Sequence, residues 1–263
     1  MNLFKRILIL LIIFTLTVSV SGFCEVSGTM LPILLYHNVT DFYSPENKGD
    51  NISPRVLESH FKMLKDFGFN TISFGQYWDY RTNGTPLPEN PIIISFDDGY
   101  LSNYFIAYPM LKKYGFKATI FTVTKASYDS SYCNYRHFSW AQAQEMQNSG
   151  VIDIQSHSYS HFIHTDKTEE ENEKEITTSY FDINKNIGKA PTVYAYPSGK
   201  FTENTQKKAE ETGYKMQVIV RGGINDDTTP LNELTRLNID GDMSATDLIN
   251  LIVKYKQNLK GGI

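Results

Sequence analysis

Residues 92–100 read Ile-Ile-Ile-Ser-Phe-Asp-Asp-Gly-Tyr, a short apolar run that ends in two adjacent acids and a glycine. A continuous apolar run of this length is typical of a strand that is buried on both faces. Two neighbouring carboxylates repel each other, and keeping both beside a buried strand end is costly unless a cation or a proton is present. Aspartate and glycine also favour turns, so this motif taken alone is more simply interpreted as a turn that ends a strand.

Short apolar runs alternate with amphipathic stretches along the rest of the chain. The candidate strands are Leu31–Tyr36, Asn70–Phe74, Ile92–Phe96, Ala118–Val123, Val151–Gln155, Thr192–Tyr196, Met216–Val220 and Thr235–Ile239. The candidate helices are Ser53–Phe67, Tyr100–Tyr114, Ser139–Ser149, Thr168–Asn186, Thr202–Thr212 and Ser244–Gln257. This alternation predicts an α/β fold, a single distorted (β/α) barrel of about seven or eight mainly parallel strands, over residues 31–259.

The N-terminal residues have the order of a secretory signal. Lys5 and Arg6 precede an apolar run over residues 7–20, and small residues follow. We therefore predict a signal peptide over residues 1–22, cleaved near Ser21 or Gly22, and an exported protein, either secreted or associated with the cell surface. An uncleaved anchor is the alternative, and this segment would then be the only membrane contact.

Composition and charge exclude several kinds of partner and of metal site. The 263 residues carry a formal net charge of −4 at pH 7, which offers no basic face for nucleic acid or anionic lipid. The two cysteines, Cys24 and Cys133, provide neither a disulfide framework nor a cysteine metal site. Any metal must therefore be held by histidines and carboxylates.

A second motif follows another predicted strand, where residues 156–161 read Ser-His-Ser-Tyr-Ser-His. Two histidines four residues apart can face the same way in a helical turn or a tight loop, and histidine is the commonest metal ligand. Together with one acid of the first motif, they form a set of two histidines and one carboxylate, which leaves positions open for water and substrate. Either motif alone fits an ordinary loop, but both follow strands where barrel active sites lie, which favours a metal centre.

Ser-Phe-Asp-Asp-Gly followed by His-Ser-x-x-His resembles the polysaccharide deacetylases of the NodB-homology type, carbohydrate esterase family 4. The resemblance covers residues 31–239 and includes Phe-Ser-Trp at 138–140 and Tyr-Ala-Tyr-Pro-Ser-Gly at 194–199. Leu-Leu-Tyr-His at 34–37 resembles the opening strand of the branch that deacetylates poly-N-acetylglucosamine. The resemblance implies a metal-dependent hydrolase that removes N-acetyl groups from poly-N-acetylglucosamine or a cell-wall glycan.

The resemblance also implies roles for individual residues. Asp98, His157 and His161 resemble the metal ligands, and Asp97 resembles the catalytic base. Zinc is the expected metal, and cobalt, nickel, iron or manganese would also suit two histidines and a carboxylate. An N-acetylated amino-sugar polysaccharide is the expected partner.

Further roles follow from the same resemblance. The amine leaving group needs an acid, and His37 matches the histidine of the opening strand to which that role is attributed; a histidine that simply caps the strand is the alternative. The backbone around Pro197 and Ser198 matches the place where an N–H group stabilises the oxyanion. Tyr100 could contact sugar or pack locally.

The sequence departs from the family where most members carry an arginine that orients the catalytic aspartate. Ala195 occupies that position, as in the poly-N-acetylglucosamine branch. We take Arg236 as a hypothesis for the replacement; it could equally be an ordinary surface arginine. We further expect His164 to lie in a solvated loop, with support of a ligand or contact with substrate as the alternative, and the acidic run Glu169–Glu175 to form a solvated helix face.

Two other functions stay open. The chain could be an acetylxylan esterase or another metal amidase on the same fold, because fold alone does not determine substrate. It could also be an exported glycan-binding module that has lost turnover, for which the missing arginine is the best support.

Overall fold

The computed structural model describes residues 28–42, 48–129 and 136–261. The predicted signal peptide and both cysteines lie outside these ranges. The strands are β1 Ile33–Tyr36, β2 Asn38–Val39, β3 Asn51–Ile52, β4 Asn70–Thr71, β5 Pro91–Phe96, β6 Ala118–Thr122, β7 Ile152–Ser156, β8 Val193–Ala195, β9 Met216–Ile219, β10 Leu234–Thr235 and β11 Leu237–Asn238. The helices are α1 Pro54–Asp66, α2 Phe74–Asn83, α3 Tyr108–Tyr114, α4 Thr124–Tyr128, α5 Trp140–Asn148, α6 Glu169–Ile187, α7 Glu203–Thr212 and α8 Ala245–Gly261.

The main sheet is parallel throughout and nearly closes into a barrel. Its strands follow the order β10-β9-β8-β7-β6-β5-β1-β11, and β4 pairs with β5 outside this path. At one end β10 pairs with β9, and at the other β11 pairs with β1. Only Arg236 separates β10 from β11, so the two ends of the sheet are joined by one short segment. The predicted barrel of parallel strands is confirmed.

The apolar core has an inner and an outer part. Alternate strand residues such as Ile93 and Val218 pack inside the barrel with Phe74 and Tyr77 of α2. Residues on the opposite strand faces, such as Ile94, pack against the surrounding helices. Because Tyr77 also donates to the Asp226 carbonyl, beside the start of β1, α2 covers the amino end of the barrel. The carboxyl end is left for the cleft described below.

Helix starts follow local sequence closely. Ser139 is the N-cap of α5, because its side chain accepts from Gln142 N–H and the Gln142 side chain accepts from the Ser139 N–H. Thr168 and Thr202 begin α6 and α7 with the same reciprocal arrangement. Such capping boxes satisfy backbone N–H groups that the helix itself leaves free. None of the helices in the described ranges is both long and apolar enough to cross a membrane.

Several elements differ from the sequence prediction. The expected strand Asn70–Phe74 is limited to its first two residues, because Ser73 is the N-cap of α2 and Phe74 begins that helix. The helix α2 was not predicted, since its sequence FGQYWDYRTN is rich in aromatic and polar residues without a clear period. The last predicted strand is divided at Arg236 because it changes neighbours there. Between β1 and α1 lie two short paired strands, β2 and β3, which were not among the predicted strands.

Candidate active site

A cleft of about 420 Å³ lies at the carboxyl end of the barrel strands. It is lined by Leu35, His37, Gly49, Asp50, Asp97, Asp98, Tyr100, His157, His161, Ser198, Val220 and Asn238. Seven of these twelve residues were selected from the sequence. The fold therefore brings together side chains from segments more than one hundred residues apart.

The turn after β5 presents Asp97 and Asp98 in different directions. Asp97 N–H bonds to the Tyr36 carbonyl, which continues the pairing of β5 with β1. Asp98 has a positive φ of 72°, and Gly99 follows with φ 82°. A Cβ on Gly99 would lie 2.5 Å from Thr122 Oγ1, so this position requires glycine for space as well as for backbone angle.

The loop after β7 presents the two histidines. His157 N–H bonds to the Thr122 carbonyl, which extends the pairing of β7 with β6. Ser158 and His161 both have positive φ, at 68° and 63°. The Ser158 hydroxyl accepts from His161 N–H at 2.9 Å and holds the loop closed. Non-glycine residues adopt such angles at a cost, and strained positions of this kind cluster at functional sites.

Three potential metal ligands converge in the cleft. Asp98 Oδ1 lies 3.5 Å from His157 Nε2 and 3.3 Å from His161 Nε2. The ligand atoms of the three residues all lie within 4.8 Å of one another. Asp98 Oδ1 is buried and has no hydrogen-bond partner among the described residues. Burying such an atom is costly, and coordination of a cation would remove that cost, so the residues present fit a metal site.

The protonation state of His157 also fits a metal site. Its Nδ1 lies 2.8 Å from the Ala195 carbonyl, which can only accept, so Nδ1 carries the proton and Nε2 presents a lone pair to Asp98. Burial lowers the pKa of His157 to about 4, because it outweighs the opposing effects of Asp97 and Asp98. The imidazole is therefore neutral at neutral pH, as a metal ligand must be.

The carboxylate of Asp97 is held in place by the side chain of Arg236. The guanidinium donates from Nη1 to Oδ1 at 2.6 Å and from Nη2 to Oδ2 at 2.7 Å, and Arg236 is fully buried. Burial alone would raise the pKa of Asp97, but the charges of Arg236 and His157 and the two hydrogen bonds lower it to about 2. Asp97 is thus ionised at all physiological pH values and oriented through both oxygens. The alternative that Arg236 is a surface residue is wrong.

The other predicted residues lie at different depths. His37 lines the cleft, and its Nδ1 is buried without a hydrogen-bond partner among the described residues. Ser198, with φ 56°, lines the opposite part of the cleft within a 3₁₀ turn, Pro197–Gly199. Pro197 is buried behind that turn and does not line the cleft. Tyr100 lines the cleft, with its ring centroid 5.1 Å from that of His137.

The expectation of a solvated loop at His164 is wrong, whereas the solvated face expected of Glu169–Glu175 fails only at Asn172 and Glu175. His164 is fully buried and bonds through its ring nitrogens to Asn172 Oδ1 at 2.6 Å and Tyr194 Oη at 2.8 Å. Glu175 is also buried, and it accepts from the Ser160 N–H and hydroxyl at 2.7 and 2.6 Å. These contacts attach the loop to α6. Glu175 belongs to the inward face of α6 with Ile176 and Ser179, a periodicity that could have identified it.

The remaining lining residues escaped the sequence analysis. Asp50 precedes β3, Asn238 is the last residue of β11 and Val220 follows β9. Nothing in their local sequence distinguishes them from ordinary loop or strand residues. Only the position of Val220 and Asn238 at strand ends of a barrel could have suggested those two.

Comparison with known proteins identifies the group to which this fold and cleft belong. Residues 84–217 match the family model described as polysaccharide deacetylase. A Bacillus subtilis protein, YxkH, which is classed by name among the polysaccharide deacetylases, is 33% identical over 216 residues, covering 82% of this chain and 74% of that protein. A poly-β-1,6-N-acetyl-D-glucosamine N-deacetylase of Staphylococcus epidermidis is 27% identical, covering 65% of this chain and 61% of that enzyme. The structure of the Streptococcus pyogenes deacetylase PplD, in complex with acetate, is 25% identical with a TM-score of 0.76, covering 86% of this chain and 99% of that one.

Proposed function

Because the chain belongs to the polysaccharide deacetylase family, we propose that it is a metal-dependent hydrolase that removes N-acetyl groups from a polymer of N-acetylglucosamine. The convergence of Asp98 Oδ1 with Nε2 of His157 and His161 carries the proposal. Asp98 Oδ1 and His157 Nε2 are both acceptors and face each other there, with His161 Nε2 beside them. A divalent cation would satisfy all three at once.

Asp98, His157 and His161 are the proposed ligands, and zinc is the metal that this set suits best; cobalt, nickel, iron and manganese are alternatives. When bound, the ion supplies Lewis-acid activation of the acetamide carbonyl and of water. The ring of His157 is oriented by its bond to the Ala195 carbonyl, which also favours the ligating tautomer. The backbone N–H of His161 donates to the Ser158 hydroxyl, which holds the loop that carries this ligand.

Asp97 is the proposed base that takes the proton of the attacking water. Its carboxylate is ionised and lies 3.6 Å from His157 Nε2, beside the proposed ligands. Arg236 is the proposed orienting residue, in place of the arginine that Ala195 replaces. Two parallel hydrogen bonds prevent rotation of the carboxylate, and a general base must be held within hydrogen-bond reach of its proton.

His37 is the proposed acid that gives a proton to the departing amine, because its imidazole lines the cleft and is not otherwise engaged. The Ser198 N–H is the proposed oxyanion donor, because the turn that carries it borders the cleft. Tyr100 is a proposed sugar contact. Pro197, being buried, serves only to begin the turn.

The proposed substrate is poly-N-acetylglucosamine, and a cell-wall glycan with the same acetamide is the second candidate. The substrate named for the Staphylococcus epidermidis relative supports the first. The proposed arrangement is an export signal over residues 1–22 followed by a deacetylase domain over 31–259, with action outside the cell. The order of charged, apolar and small residues at the start of the chain supports export.

An acetate-release screen tests this function. The purified protein, after chelation and reloading with single metals, is incubated with β-1,6-linked N-acetylglucosamine oligomers, chitin-type oligomers, peptidoglycan and acetylxylan. We expect acetate and free amines in equal amounts from an N-acetylglucosamine substrate, only after metal is restored. Acetate from acetylxylan alone would indicate the esterase, and binding of oligomers without product would indicate a glycan-binding module.

A further inference from the structure

A π-helical turn, Asn103–Ala107, follows the Asp97-Asp98-Gly99 turn and leads directly into α3. Within it, the Tyr108 N–H bonds to the Asn103 carbonyl, five residues back rather than four. Turns of this kind are rare and occur frequently at functional sites. The widened turn changes which side chains face the barrel, so its contacts indicate what it does.

The turn bonds to three consecutive residues beside the cleft. Asn103 Nδ2 donates to the His37 carbonyl at 2.8 Å. The Ser102 hydroxyl donates to Asn38 Oδ1 at 2.7 Å and accepts from Val39 N–H at 3.0 Å. Asn103 is fully buried, so this bond is shielded from competing water. These bonds fix the backbone of residues 37–39 against the start of the π-helical turn.

His37 itself has little else to hold it. No described hydrogen bond engages its imidazole, and its Nδ1 is buried without a described partner. His157, by contrast, has its ring fixed by the Ala195 carbonyl. The direction of the His37 ring must therefore be set mainly by its backbone. A proton donor whose ring is free to transfer a proton needs this kind of anchoring, because a bond to the ring would compete with substrate.

We propose that Asn103 and Ser102 are positioning residues for His37, and that the π-helical turn exists to place them. This inference rests on the proposed function, in which His37 protonates the departing amine. As the C–N bond breaks, its electron pair goes to nitrogen, which takes the proton from the imidazolium. Displacing such a donor by about 1 Å can cost on the order of a hundred-fold in rate.

The test compares two leaving groups in the metal-loaded protein. Asn103→Ala is assayed on an N-acetylglucosamine oligomer and on 4-nitrophenyl acetate, whose phenolate departs without a proton. We expect kcat on the amide to fall about ten- to a hundred-fold, and the ester rate to stay within about two-fold, with metal content unchanged. His37→Ala should give the same split.

A double-variant cycle gives a second readout on the amide alone. In the His37→Ala background, Asn103→Ala should have almost no further effect, because the residue it positions is absent. Ser102→Ala should behave like a weaker Asn103→Ala, and Ser102→Thr, which keeps the hydroxyl, should recover the wild-type rate. These serine variants keep the inference testable if Asn103→Ala does not fold.

Asn225 provides the matched control. It is also a fully buried asparagine that donates to a β1-flanking carbonyl, that of Leu31, at the opposite end of the barrel. Asn225→Ala should lower thermal stability without separating amide from ester rates. Equal loss on both substrates for Asn103→Ala, or additivity with His37→Ala, overturns the inference. Absence of acetate release by the wild-type protein would instead overturn the proposed function.

Discussion

The two ends of the barrel differ in backbone strain and in the hydrogen bonding of their buried polar atoms. Four of the five described non-glycine residues with positive φ, Asp98, Ser158, His161 and Ser198, lie at the carboxyl end. Two of the buried polar atoms that have no hydrogen-bond partner among the described residues, Asp98 Oδ1 and His37 Nδ1, lie there as well. At the amino end α2 covers the interior, and the buried Asn225 is bonded through both its amide nitrogen and its oxygen.

The contrast shows at which end of the barrel the fold tolerates a cost in free energy. Strained backbone and unpaired polar atoms each cost of the order of 1–3 kcal/mol, and they persist only where the surrounding structure imposes them. The covered amino end, with its bonded Asn225, and the apolar interior supply that structure. Variants at the carboxyl end should therefore affect activity and metal binding, whereas matched variants at the amino end should affect stability alone.

The sharpest test separates the two adjacent acids of the carboxyl end. Asp97→Asn should retain metal but lower kcat about 10²- to 10⁴-fold, because the base is gone. Asp98→Asn should lose metal, yet raise the melting temperature of the metal-free protein, because an amide can donate to the facing imidazoles. Metal analysis, calorimetry and acetate release measure these effects. Unchanged turnover in Asp97→Asn would contradict the proposed base.

The next test compares an arginine from each end. Arg236→Ala leaves the buried Asp97 carboxylate unpaired and should cost about 3–5 kcal/mol in free energy of unfolding. Within the described part of the chain, Arg81 at the amino end bonds only to neutral oxygens, the Tyr77 hydroxyl and the Asp226 and Thr229 carbonyls. Arg81→Ala should cost about 1–2 kcal/mol and leave activity intact. Equal costs in urea denaturation would refute the view that the carboxyl end stores buried charge.

Two glycines give a finer comparison. Gly84 ends α2 with φ 69°, and a Cβ added there would have no atom within 4 Å, whereas a Cβ on Gly99, with φ 82°, would meet Thr122 Oγ1. Gly84→Ala should cost only the left-handed backbone penalty, about 1–2 kcal/mol. Gly99→Ala adds overpacking of about 1–3 kcal/mol and should also disturb the neighbouring Asp98. Thermal unfolding and metal affinity are measured for both variants. The same loss of stability in both would mean that the Thr122 side chain moves aside easily.

The smallest expected effect is a pH dependence of stability from His60, which is buried against Tyr36 and the Met243 carbonyl. Burial lowers its pKa below the ordinary value of 6.5, so the unfolded chain takes up a proton first as pH falls. Stability from this group is therefore present above about pH 6.5 and decreases below it, by at most about 1.4 kcal/mol per pH unit. His60→Gln should reduce the slope of unfolding free energy between pH 7 and pH 5; an unchanged slope would exclude His60 as its source.

Much of the fold was predictable because the signals are local. Apolar runs of strand length and amphipathic stretches of helix length act over a few residues, and most of the main strands and helices agree with them. The prediction missed α2 because the sequence of that helix has no clear periodicity. Its role as a cover for the amino end of the barrel depends on what it packs against.

The sequence by itself determined most of the main strands and helices, the proposed ligand motifs and the motif resemblance, since each depends on residues close together in the chain. Tertiary structure alone decided that Arg236 meets Asp97, 139 residues away, that Glu175 and His164 support the histidine loop, and that Asn103 reaches His37. These partners are chosen by closure of the barrel. Closure brings the ends of distant strands within hydrogen-bond distance, and no periodicity or spacing along the chain encodes which side chains then meet.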